Sequence, residues 1–210
     1  MLGALAMSSG CASTTSSAQP VPPAAGRSVA SDPSPEPEPE PEPSMIPDAR
    51  QGTPAKSSRV RFEPESLTLP GGASATVLPA QTVDGELKVP ERVRHVGWWD
   101  GSSYAGDPFG TTVIAGHVDS ATDGVGFFAR LSRTKVGDRV TLRGNGHRAV
   151  YRVVSLQRVA KRALSSDTHA FDQTGDHRLV LITCAGSYDP DRGGYSSNLV
   201  VTGVPVGRAR

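Results

Sequence analysis

His177–Val204, HRLVLITCAGSYDPDRGGYSSNLVVTGV, decides how the rest of the chain is read. Leu179-Val180-Leu181-Ile182-Thr183 is an unbroken apolar and β-branched run, the pattern of a strand buried on both faces. Leu199-Val200-Val201-Thr202 is a second run of the same kind. Gly186, Pro190, Gly193 and Gly194 lie between them and predict an irregular loop. Cys184 falls where the first strand ends. A thiol at a rigid strand terminus, facing a loop, is well placed to be a nucleophile. The alternative is a small buried cysteine in a sheet, a common place for free Cys.

Outward from this stretch, the composition limits what the chain can be. A hydrophobic content of 36% over 210 residues supports one medium domain with tails. Lys and Arg number 22 against 21 Asp and Glu, a net charge of +1 that gives no footing for nucleic acid or an anionic membrane surface. The two cysteines, Cys11 and Cys184, sit in unlike settings and define no disulfide framework. Residues 12–57 form a linker that ends in Pro-Glu alternation, PSPEPEPEPEP at 33–43. Such a sequence cannot build a core and favours extended polyproline geometry, at about 3.1 Å per residue. Residues 1–11, MLGALAMSSGC, pair a short apolar run with a small residue and a Cys, as in a bacterial lipoprotein signal lipidated at Cys11. The run has no basic segment before it and is shorter than the roughly 7–15 residues of a secretory apolar region. It therefore reads as the tail of a longer export leader. An extracytoplasmic head, held off a membrane by a stiff spacer in the cell envelope, is the expectation.

The globular domain is expected over 58–210. Arg59–Phe62, Ser66–Leu69, Ala75–Leu78, Val96–Trp99, Thr111–Ala115, Val136–Leu142 and Ala149–Leu156 all carry strand patterning. Asp84-Gly85 and Gly144-Asn145-Gly146 predict hairpin turns. Gly126–Leu131, GFFARL, predicts one short helical turn, and both tryptophans are expected in the core. Roughly eight short strands without a long amphipathic helix predict an all-β fold, a closed or nearly closed β-barrel with short helical turns.

His117, like Cys184, directly follows a buried strand run. Two strand ends of a barrel can adjoin despite the 67 residues between them. A Cys and a His brought together supply a nucleophile and a proton shuttle. A third group must stabilise the oxyanion, and arginine suits because it stays charged and offers forked donors. Arg192, eight residues after Cys184, is the candidate. Metal chemistry has no support: there is no CxxC, no HExxH and no carboxylate cluster.

These residues resemble a known family. Ile114-Ala115-Gly116-His117-Val118-Asp119, followed by Leu181-Ile182-Thr183-Cys184, is similar to the sortases, and most similar to their actinobacterial class F. Val96-Gly97-Trp98-Trp99, Phe128-Ala129-Arg130-Leu131 with Val136-Gly137-Asp138, and Tyr195–Val201 extend the resemblance in order over Leu67 to Pro205. It implies an eight-stranded sortase barrel, a monomer without a cofactor. It implies a cysteine transpeptidase that cleaves an LPXTG-like sorting signal of surface proteins between Thr and Gly, and passes the acyl group to a peptidoglycan-type amine. Two positions depart from the family pattern. Val180 replaces the first Thr of T-L-x-T-C, and Ser196-Ser197-Asn198 stand where an Arg is expected before the last strand, leaving Arg192 to carry that role. The resemblance also makes 159–176 a wall of the substrate groove, with Thr183, Ala163, Leu164, Ser165 and Ser166 near the peptide. A non-catalytic barrel of the same fold is the alternative. The L,D-transpeptidases need S-H-G-C, which is absent, and papain-like proteases place Cys before His, the reverse of the order here.

Overall fold

Alternating apolar and polar residues become strand after strand once the globular sequence begins. The computed structural model describes residues 59–166 and 168–210 and, at Arg192, the backbone only. The expected leader (1–11, with Cys11) and linker (12–57) lie outside the described residues. The strands are β1 (Ser66–Thr68), β2 (Ser74–Ala80), β3 (Thr82–Val83), β4 (Glu86–Leu87), β5 (Val96–Trp99), β6 (Thr111–Ala115), β7 (Asp119–Ser120) and β8 (Gly124–Val125). They continue as β9 (Arg139–Gly144), β10 (His147–Ala160), β11 (Arg178–Asp189) and β12 (Gly194–Pro205).

Eight of these close a barrel in the order β1-β2-β5-β6-β11-β12-β10-β9, with β1 paired to both β2 and β9. The expected all-β closed barrel is therefore what the chain forms. Two pairings are parallel, β2 with β5 and β6 with β11. The two-residue turns follow from sequence: Asp84-Gly85 and Asn145-Gly146 all have positive φ, as a tight hairpin turn requires.

The interior is filled from every barrel strand, with Leu67, Val77, Val96, Ile114, Leu142, Tyr151, Leu181 and Val201 among the residues packed there. Phe127, Phe128 and Leu131 join them from a 3-10 helix, Phe127–Arg133, where the GFFARL segment predicted a turn. A second apolar cluster joins Val113, Ala115, Val180, Ile182 and Val200 to Ala170. Along β11, Leu179 and Leu181 belong to the first cluster and Val180 and Ile182 to the second. The unbroken apolar run therefore lines the barrel with one face and supports an outer layer with the other.

Several expectations are corrected. Arg59–Phe62 is not a barrel strand; Phe62 makes a single bridge to Ala105. The strand expected from Val136 starts at Arg139, because Lys135–Asp138 closes a turn with Gly137 at φ 95°. The loop expected between the two apolar runs is mostly ladder: Tyr188 pairs with Tyr195 and Asp189 with Gly194, leaving one turn of 3-10 helix at Pro190–Arg192. A backbone ladder needs no apolar side chains, so nothing in the pattern announced it. A bulge between Ala185 and Tyr188 takes up the mismatch, with Gly186 at φ 89°. Of the two tryptophans, Trp98 is buried; Trp99 is half-buried and donates from Nε1 to Thr82 Oγ1 at 3.0 Å.

Tyr151 and His177 form a buried polar pair, Tyr151 Oη to His177 Nε2 at 2.9 Å. Burial pushes the His177 pKa below its usual value and pushes the Tyr151 phenol well above its own. Below pH about 6.5 the unfolded chain protonates this histidine while the folded chain resists, so stability falls as pH drops through that window. Thermal melts between pH 7.5 and 5 should show a falling midpoint, with a shallower fall in His177→Gln. Parallel curves for the two proteins would show that His177 does not carry the effect.

Candidate active site

The parallel pairing of β6 with β11 builds the site. Its register runs from Thr111 opposite Leu179 to Ala115 opposite Ile182. Past the last pair, Gly116 N–H donates to Ile182 O at 3.1 Å, and Thr183 Oγ1 donates to Gly116 O at 2.8 Å. One residue further along each chain are His117 and Cys184. Adjacent strands lie about 4.8 Å apart, so the register sets the imidazole and the thiol beside one another. Gly116 must be small here: an added Cβ would approach Phe128 and Val96 to 3.0 Å.

Both residues are half-buried and line two cavities. The larger, about 580 Å³, has Ala115, Ile182 and Thr183 along the strand ends. Leu87 and Val89 line it from around the β3–β4 hairpin, and Leu164 and Phe171 from the segment after β10. Trp99 packs edge-on against Phe171 behind it, with ring centroids 5.4 Å apart. The smaller cavity, about 270 Å³, is lined by polar and aromatic residues, Asp119, Ser120, Tyr188 and Tyr195 among them. Tyr195 Oη donates to Asp119 Oδ2, and this bond pushes the phenol up to about 12.

Burial pushes the Cys184 thiol above its ordinary value; the Lys161 ammonium pulls the other way, and the Asp119 carboxylate adds to the rise. Cys184 is the free cysteine of the described residues, which contain no group of three or more His, Cys, Asp or Glu placed to hold a metal ion.

The sequence candidates separate accordingly. His117, Cys184, Thr183, Leu164 and Ser165 all line the larger cavity, while Ala163 and Ser166 do not. The backbone of Arg192 lies in the Pro190–Arg192 turn, and its side chain is outside the description. The 159–176 segment, expected as a loop, contains the last two residues of β10 and two 3-10 turns, Lys161–Ala163 and His169–Phe171. Sequence reasoning missed Leu87, Val89, Phe171, Lys161 and Asn198 as lining residues. Asn198 faces Cys184 in the β11–β12 ladder, a placement that follows only from the register.

A Sortase domain family model matches residues 70–206. The chain belongs to the sortase family. Members of this family are generally cysteine transpeptidases. Solved sortases share the barrel. Sortase C1 of Streptococcus agalactiae, in complex with MTSET, is 20% identical with a TM-score of 0.51, covering 68% of this chain and 66% of its own. Sortase C-1 of Actinomyces oris is 24% identical with a TM-score of 0.52, over 68% of this chain and 73% of its own. A lid mutant of Corynebacterium diphtheriae sortase A is 20% identical with a TM-score of 0.52, over 73% and 74%. This sortase-family chain thus spans just under two thirds of the Streptococcus agalactiae chain. No curated protein matches it.

Thr183→Val keeps the shape but removes the donor to a buried carbonyl. It should cost about 1–3 kcal/mol, read by chemical denaturation. An unchanged unfolding midpoint would show that the bond between the strand ends carries no weight.

Proposed function

We propose that this protein is an extracytoplasmic cysteine transpeptidase of the class F sortase type. In this reading it acts on an LPXTG-like sorting signal of surface proteins and transfers the acyl group to a peptidoglycan-type amine. The observation that carries the reading is the pairing of His117 with Cys184 at adjoining ends of two buried parallel strands, both opening onto an apolar cavity of about 580 Å³. A cavity with Leu87, Val89, Leu164 and Phe171 in its walls suits the apolar residues of such a signal. The order of the Val-Gly-Trp, Gly-His-Val-Asp, FARL and Tyr-x-x-Asn motifs supports class F. The short apolar leader with Cys11 and the Pro-Glu linker support attachment to the cell envelope.

The chemistry balances on these two side chains. Cys184 Sγ attacks the carbonyl carbon of the Thr–Gly bond as His117 takes its proton. The C–N bond then breaks, His117 gives the proton to the leaving Gly amine, and a thioester remains on Cys184. The acceptor amine attacks that thioester and loses a proton to His117. The S–C bond breaks, and the proton returns to the thiol. No oxidant, metal or nucleotide is required. Because burial holds Cys184 above the normal thiol range, the proton transfer to His117 is part of the attacking step.

A non-catalytic barrel is the second reading, favoured by Ser196-Ser197-Asn198 on the strand facing Cys184, which offers no cation there. Incubating the protein with a library of LPXTG-type peptides and an amine, followed by intact mass measurement, separates the two. The expected result is a thioester adduct and an amine-linked product, both absent in Cys184→Ala and reduced at least about 10²-fold in His117→Ala. A protein that forms no adduct with any peptide of the library, while its thiol still reacts with iodoacetamide, would support the second reading.

A further inference from the structure

Attack on a carbonyl puts negative charge on its oxygen, and that charge must meet a fixed donor or cation. The strand beside Cys184 contains neither Lys nor Arg: β12 reads GYSSNLVVTGVP. We propose that Lys161 is the cation of this site and stabilises the oxyanion formed at Cys184. The assignment rests on the acyl-transfer reading above, and its test does not require a sorting peptide.

Three observations lead to it. Among the described residues, only His117, Lys161 and Cys184 line both cavities. A nucleophile, a proton shuttle and a cation thus share the ridge where the two spaces meet. The second observation is strand register. Val159 of β10 pairs with Asn198, which pairs with Cys184; one row on, Ala160 pairs with Ser197, which pairs with Ala185. Lys161 follows Ala160, two strand spacings or roughly 10 Å from the Cys184 strand. The intervening strand presents Ser196 and Ser197, too small to wall off a long lysine stem. The third is a tether. Lys161 Nζ donates to Gly193 O at 3.1 Å, in the turn beyond Cys184. An ammonium has three donors, so two remain for a ligand. Its neighbours Arg158 and Arg162 line neither cavity. The field of Lys161 already favours the Cys184 thiolate, against burial and Asp119.

The test compares wild type, Lys161→Met, Lys161→Arg and Arg192→Met at one pH, because His117, Asp119, Tyr188 and Tyr195 also face the thiol. Two readouts are used. The first is the ratio of Cys184 alkylation rates with anionic iodoacetate and neutral iodoacetamide. The second is the rate of Cys184 acylation by para-nitrophenyl acetate, a donor that needs no peptide groove. Lys161→Met should lower the alkylation ratio several-fold. It should slow acylation by about 10–100-fold, less than a buried oxyanion donor gives because Lys161 is exposed to solvent. Lys161→Arg should restore both to within a few-fold, a rescue that a purely structural role would not produce. Circular dichroism confirms that each variant is folded. The proposal is overturned if Lys161→Met leaves both readouts unchanged, or if Arg192→Met abolishes them while Lys161→Met does not. A wild type acylated by the ester but by no sorting peptide would overturn the transpeptidase reading and leave the Lys161 result standing.

Discussion

Everything at the site depends on one parallel ladder, the pairing of β6 with β11. Parallel strands run out in the same direction, so their C-terminal ends emerge together. His117 and Cys184 each stand two residues beyond the last paired position, Ala115 opposite Ile182. An antiparallel pairing would send the two ends to opposite edges of the sheet. The Thr183–Gly116 hydrogen bond carries the register one step past the strands, and Gly116 lets the chain pass Phe128 and Val96 without a side chain of its own. Neither reactive residue needs a strained backbone.

The same ladder explains why the groove is apolar. A barrel strand ordinarily hides one face and shows the other to solvent. Here Val180 and Ile182 on β11, with Val113 and Ala115 on β6, are buried on the outer face too, beneath the segment between β10 and β11. That second cluster continues into Leu87, Val89, Leu164 and Phe171, which line the larger cavity. The layer that covers the sheet and the wall of the groove are one apolar assembly. A substitution at Val180 or Ile182 would therefore act on stability and on the groove together.

Much of this was legible in the sequence, for reasons that differ by residue. The LVLIT run announces a strand buried on both faces because burial demands apolar side chains at every position. Asp84-Gly85 and Asn145-Gly146 announce their turns because few residues accept positive φ. Cys184 and His117 stand out because each ends such a run. The hairpin of β7 and β8 was hidden, since four polar or small residues held by backbone bonds leave no periodicity. The extension of β11 and β12 past Cys184 was hidden for the same reason. Lys161 was hidden differently. It sits in an ordinary polar stretch, VAKRAL, and only the register of three strands brings it near the thiol. Arginine was sought close in sequence to Cys184, whereas the charge that acts on the thiol comes from across the sheet.

The parallel ladder also bears on how the chain becomes reactive during folding. Its partners lie 67 residues apart, and a contact of that span must bear the loop-closure entropy of everything between. Folds dominated by such pairings acquire them slowly, on the scale of milliseconds to seconds. Until β6 docks on β11, Cys184 is an ordinary thiol with no imidazole beside it. The pairing that completes the sheet also places the imidazole beside the thiol, so a partly folded chain would have little means of acylating itself on a passing peptide.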